Sequence, residues 1–106
     1  MYSYIQISTT TGKKSEAEEI SMKLVEMRLA ACAQIIGPIS SVYWWKGEIV
    51  TDREWLCIIK THKSLFGEVE KVIREIHPYE VPEFAAIPIT LGSHDYLSWI
   101  NNELKK

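Results

Sequence analysis

Polar and apolar residues alternate over residues 3–9 (SYIQIST), with Tyr4 and the β-branched Ile5 and Ile7 among them. That period of two predicts a strand. Thr10, Thr11 and Gly12 interrupt it. The period then lengthens: Ala17, Ile20, Leu24, Met27 and Ala31 recur every three or four positions, which predicts an amphipathic helix over 13–31. Ser15 and Glu18 have the spacing of a capping box at its start. Residues 33–45 predict a long strand interrupted at Gly37-Pro38, where proline cannot donate to a ladder and marks a bulge or an edge. Lys46-Gly47 is a tight hairpin turn. Residues 48–61, rich in Ile, Val, Trp and Thr, return as a second long strand. A second helix is expected over 64–77, capped by Ser64, with Leu65, Val69, Val72 and Ile76 inward. His77-Pro78 ends it, because the residue before proline avoids helical dihedrals. Residues 83–91 predict a fourth strand, confined by Pro88 to an edge or bulge. Gly92-Ser93 then caps a last helix over 93–104, with Leu97, Ile100 and Leu104 inward.

The order β-α-β-β-α-β is the ferredoxin-like split unit. The expected class is α+β: one domain over 1–106, an antiparallel sheet with two helices on one face, and an added C-terminal helix. The sheet's other face is left bare. The hairpin strands are also long for the domain. Thirteen residues at ~3.3 Å each reach about 43 Å, whereas a chain of this length has a radius of gyration near ~13 Å. The hairpin should therefore project, carrying Tyr43, Trp44, Trp45, Ile49 and Val50 at its end. Adjacent residues face opposite sides of a strand, so Trp44 and Trp45 put aromatics on both. An isolated ribbon is marginal in water, and exposed apolar patches mark interfaces. Packing between subunits through Tyr43, Trp44 and Trp45 accounts for this better than a tip folded back on its own domain.

Composition narrows the function. Hydrophobic residues make up 46% and charged residues 25%, with 12 basic and 14 acidic side chains and a net charge of −2. Nucleic acid is not expected as a partner, since phosphate binding needs a basic excess or stripe. Neither is a membrane, since no apolar run approaches ~20 residues. The first residues lack the pattern of a signal peptide, and there is no Asn-x-Ser/Thr sequon, so a cytoplasmic location is expected. Cys32 and Cys57 are too few for a disulfide scaffold. If Trp45 pairs with Glu48, Cys57 lies opposite Ile36 and Cys32 opposite Thr61, about four rungs or ~13 Å apart. A slip of one at the bulge does not close that gap to the ~7 Å a disulfide needs.

Candidate chemistry is sparse. Thr11-Gly12-Lys13-Lys14-Ser15 resembles the end of a phosphate loop, but the motif's first glycine is Ile7 here. What remains is a helix N-terminus with nearby lysines, suited to a small anion, against a plain solvated loop. His77-Pro78-Tyr79-Glu80-Val81-Pro82-Glu83 is the most unusual segment. Two prolines stiffen it around an imidazole, a phenol and two carboxylates, as a binding site requires. His77 with a carboxylate suits a transition metal, and Cys32 has the softness to join from a neighbouring strand. The plainer account is a helix-stop loop bonded to backbone or to another subunit. His62 and His94 read as surface or capping residues, and Cys57 and Cys32 as buried. No nucleophile–base–orienter triad is present, so no catalytic residue is assigned and no enzyme is expected. The alternative is an active site shared between subunits around His77, Lys60 and Glu83.

Five motifs in order resemble the CutA divalent-cation-tolerance family over essentially the whole chain. They are Leu29-Ala30-Ala31-Cys32-Ala33, Ser41-Val42-Tyr43-Trp44-Trp45-Lys46-Gly47, Ile58-Ile59-Lys60-Thr61, the 77–83 segment and Asp95-Tyr96-Leu97-Ser98-Trp99-Ile100. The resemblance implies a ferredoxin-like subunit in a tight homotrimer similar to PII-type signalling proteins. It also implies a cytoplasmic location in bacteria and an association with copper and other divalent metals. His77 matches a family histidine linked with copper. Thr9 and Ile76 stand where some members have further proposed ligands, a cysteine and a histidine. The resemblance thus leaves His77 as the metal candidate, for weakly held copper or zinc, with no cofactor required. It places Cys32, Lys60, Tyr79, Glu80, Pro82 and Glu83 in or around an inter-subunit cleft. The function expected is a trimeric, metal-responsive binding or signalling module, or else a structural trimer that anchors other proteins.

Overall fold

The computed structural model describes residues 3–105, so Met1, Tyr2 and Lys106 of the expected domain lie outside it. Four strands and three helices follow in the order β1 (Tyr4–Thr11), α1 (Lys14–Glu26), β2 (Cys32–Trp45), β3 (Glu48–His62), α2 (Phe66–Ile76), β4 (Ala85–Pro88) and α3 (His94–Glu103). The strands form one sheet in the order β2-β3-β1-β4, every neighbouring pair antiparallel. This is the expected ferredoxin-like α+β arrangement, with β2 and the short, proline-ended β4 at the edges.

Alternation along the strands divides the sheet into two unlike faces. Ile5, Ile7, Cys57 and Ile59 point to one and are buried. Ile20 and Leu24 of α1 and Val69, Val72 and Ile73 of α2 cover them, and Ile100 of α3 with Leu104 just past its end completes the core. The other face carries Gln6, Ser8, Ile58, Lys60, Cys32 and Gln34, paired across the strands; α1 and α2 lie on the opposite side, and α3 approaches this face at Tyr96, whose ring centre is 5.8 Å from Lys60 Nζ. Cys32 is therefore half-exposed, not buried as expected.

Several boundaries differ from the sequence reading. Helix α1 ends at Glu26, five residues early. Arg28 takes a left-handed φ of 57°, and the Leu29 and Ala30 N–H groups turn back to the Leu24 carbonyl at 3.0 and 3.2 Å. Met27 consequently stays exposed while Leu29 is buried. The cap of α1 is not Ser15 with Glu18. Glu16 accepts the Lys13 N–H at 3.2 Å, and the Thr11 hydroxyl donates to the Lys13 carbonyl at 2.8 Å. Before α2 a 3-10 turn spans Lys63–Leu65, and its cap is His62, whose Nδ1 accepts the Ser64 N–H at 3.0 Å. Strand β4 covers four residues where nine were expected.

The hairpin is as long as expected, and the molecule measures 44 × 25 × 22 Å. Trp45 pairs with Glu48, and the predicted register runs down to Ile39 opposite Glu54. There Gly37 and Pro38 together oppose Trp55, and the register slips by one. Cys57 then faces Ile35 and Cys32 faces Lys60, which corrects both expected partners. The two cysteines are three rungs apart, about 10 Å, and both are free thiols.

Candidate functional site

Past the bulge, β2 and β3 run beyond the rest of the sheet, and the 79–83 segment lies alongside them. A groove of about 790 Å³ opens between the two, lined by Tyr43, Trp44 and Trp45 from β2, Asp52 and Glu54 from β3, and Tyr79 to Glu83.

The segment is held by its first residue. Helix α2 stops where Pro78 forces His77 out of helical dihedrals (φ −75°, ψ 131°). The imidazole lies buried at the edge of β1. The Thr10 carbonyl can only accept, so Nε2–H donates to it at 2.7 Å, while Nδ1 accepts the Tyr79 N–H at 3.1 Å. Both ring nitrogens are engaged, and the two partners fix the tautomer. Tyr79 stacks edge-on to His77, with centroids 4.7 Å apart, and carries its hydroxyl over β1 to Glu54 Oε2 at 2.8 Å. A Cβ on Gly12 would lie 3.2 Å from that hydroxyl, so the small residue leaves it room.

Two phenol–carboxylate pairs therefore face the groove, Tyr79 with Glu54 and Tyr43 with Asp52. Hydrogen bonding to Asp52, with the nearby negative charge, pushes the Tyr43 pKa up to about 12. Burial, then the bond to Glu54, raises that of Tyr79 well above the usual phenol range. At neutral pH both phenols are donors. Lys46, at the hairpin turn, reaches across the mouth: its Nζ is 3.9 Å from a Glu80 carboxylate oxygen and 5.6 Å from the centre of the Trp45 ring.

Of the cleft residues expected from the sequence, Tyr79, Glu80, Pro82 and Glu83 come together here. Cys32 and Lys60 do not. They face each other across β2 and β3, six residues from Glu54 along the strand, about 20 Å away. There Lys60 Nζ donates to Gln34 at 2.9 Å and lies 5.8 Å from the Tyr96 ring centre. One chain thus does not gather His77, Lys60 and Glu83 into a single site. At the start of α1, the Glu16 carboxylate accepts the Lys13 N–H at 3.2 Å.

The metal expected at His77 does not fit the side chains around it in one chain. Ligation would break one of the two ring hydrogen bonds. Among the described residues no three His, Cys, Asp or Glu side chains converge as a metal-binding group. Thr9 lies buried, and its hydroxyl has no partner among the described residues. Asp52 and Glu54 went unnoticed in the sequence. Their i, i+2 spacing puts both on one face of a strand, but alternating charge on a ribbon also describes an ordinary solvated edge.

The model of the CutA1 divalent ion tolerance protein family matches residues 5–103. The Thermus thermophilus divalent-cation tolerance protein CutA is 41% identical over 91 residues, covering 86% of this chain and 88% of that protein. The Archaeoglobus fulgidus CutA is 38% identical over 105 residues, covering 99% of this chain and 100% of its relative. The human protein CutA is 44% identical, but the match spans only 51% of its length. The solved CutA1 of Oryza sativa superposes with a TM-score of 0.95 at 36% identity, covering 99% of this chain and 96% of that one. The T. thermophilus structure gives 0.93 at 36%, covering 96% and 99%. Family match, sequence identity and superposition agree over nearly the whole described length, and the chain belongs to the CutA1 divalent ion tolerance family.

Proposed function

We propose that this chain is the subunit of a homotrimeric binding or signalling module of divalent-cation tolerance, with the groove beside the hairpin as a ligand cleft completed between subunits. The observation that carries the proposal is the ribbon. Val42, Trp44 and Ile49 share one face of it, with Val42 and Trp44 bordering the groove, and Trp44 is 72% exposed. A subunit seated on that stripe would also wall the groove. The metal-responsive part of the reading rests on the names of the relatives, which speak of divalent-cation tolerance. Light scattering at micromolar concentration tests the assembly: the mass of three chains supports it, and a monomer overturns it.

Within this reading His77 acts as a brace for the 79–83 segment. Calorimetric titration of copper and zinc into the wild type and His77→Ala is expected to give the same weak heats in both. Loss of binding in the variant would restore His77 as a ligand. The module is proposed to be cytoplasmic, where its two free thiols stay reduced. Relatives bear chloroplastic and periplasmic names, so cell fractionation is the test.

A further inference from the structure

Glu54 is 4% exposed, yet its only hydrogen-bond partner among the described residues is a neutral phenol, Tyr79 on Oε2. Oε1 accepts no hydrogen bond among the described residues and, not being sealed from solvent, opens on the groove that Glu54 lines. Burying a carboxylate without a cation is costly, and acidic residues are rarely found fully buried unless paired. Asp52, Glu80 and Glu83 line the same groove, and no Lys, Arg or His is among its lining residues. The neighbouring rim shows which chemistry suits these walls. The Lys46 ammonium sits over the Trp45 ring and beside the Glu80 carboxylate, an aromatic face and an acid around one alkylammonium.

We infer that the groove binds an organic polycation, a small molecule carrying two or more ammonium groups, with one ammonium against Glu54. A volume of about 790 Å³ falls in the range of small-molecule sites, roughly 300–1,000 Å³, and is far larger than one metal ion needs. The carboxylates do not converge as metal ligands, and two of them are oriented by phenols. Spread acids between aromatic walls match separated ammonium groups joined by an aliphatic chain, whose methylenes lie on the rings. The inference rests on this groove being the module's ligand site.

Calorimetric titration of spermidine into the full chain at physiological salt tests it, with butylamine and magnesium as comparison probes. Saturable binding of one spermidine per chain is expected, tighter than either comparison probe. Glu54→Gln keeps an acceptor for the Tyr79 hydroxyl and removes only the charge. It should weaken spermidine by about tenfold or more, as loss of a charge-assisted bond does. Asp52→Asn is a second variant of the same kind. Absence of saturable binding would overturn the inference. So would wild-type affinity in both variants, or magnesium competing equally at matched ionic strength. Light scattering on the same samples separates the two readings. A trimer that ignores spermidine loses the polycation, whereas a monomer that binds it through Glu54 loses only the cleft between subunits.

Discussion

Thr9 lies fully buried on the inner face of β1, opposite Cys57, and its hydroxyl has no partner among the described residues. A buried unsatisfied hydroxyl costs about 1–3 kcal/mol. Thr9→Val keeps the shape and removes the polar atom, so it should raise the urea midpoint. A fall would mean that the hydroxyl has a partner. Around the groove the residue-scale chemistry concerns protons on phenols. Tyr43, Tyr79 and, through burial opposed by the Ser21 hydroxyl, the Cys57 thiol all hold their protons above their ordinary values of 10, 10 and 9. Raised values in the folded state mean that the stabilisation is complete below the unfolded values. It is lost as pH climbs through the folded ones. Stability should therefore hold to about pH 9 and fall between 9 and 12, and the fall should be shallower in Tyr43→Phe and Tyr79→Phe. A curve identical to wild type in both variants would remove the phenols from the account. The 77–83 segment was legible as special because two prolines bracket its polar groups. Its partner Glu54 was not, because a strand sequence does not say which long-range neighbour crosses over to it.

At the scale of elements, legibility followed periodicity. The three helices and the long hairpin were readable because each repeats its pattern several times. The end of α1 was not, since Leu29, Ala30 and Ala31 continue an apolar run without a glycine. The chain leaves the helix there because Arg28 adopts a left-handed φ, so that Leu29 enters the core and its carbonyl accepts the buried Thr61 hydroxyl at 2.7 Å. The bulge was readable from Pro38, but its effect on register was not, because the number of residues looped out depends on packing against Trp55. Gly37 shows how tight that packing is: a Cβ there would lie 2.5 Å from Trp55 Cδ1 and within 3.0 Å of two further ring atoms. Gly37→Ala should cost about 1–3 kcal/mol, as overpacking does, and should shift the near-ultraviolet tryptophan signal. An unchanged urea midpoint would mean that Trp55 swings aside freely.

At the scale of the whole molecule, three features lack a partner in one chain. Among the described residues they are the sheet face opposite α1 and α2, the outer edge of fourteen-residue β2, and the ribbon's apolar stripe. A long exposed edge with apolar residues invites pairing, and a soluble protein that keeps one needs something to cover it. Three copies of 12.2 kDa would weigh about 37 kDa. Trp44→Lys probes the arrangement without touching the fold of one chain, because the Trp44 side chain is already largely in solvent there. In an assembly the same change places an unpaired ammonium in an apolar contact, at a cost of several kcal/mol. The variant should therefore keep its far-ultraviolet spectrum while its light-scattering mass falls toward one chain on dilution. Should it remain a trimer at the lowest measurable concentration, the ribbon would not be the contact. The sheet face opposite α1 and α2 and the β2 edge would then be left to hold the subunits together.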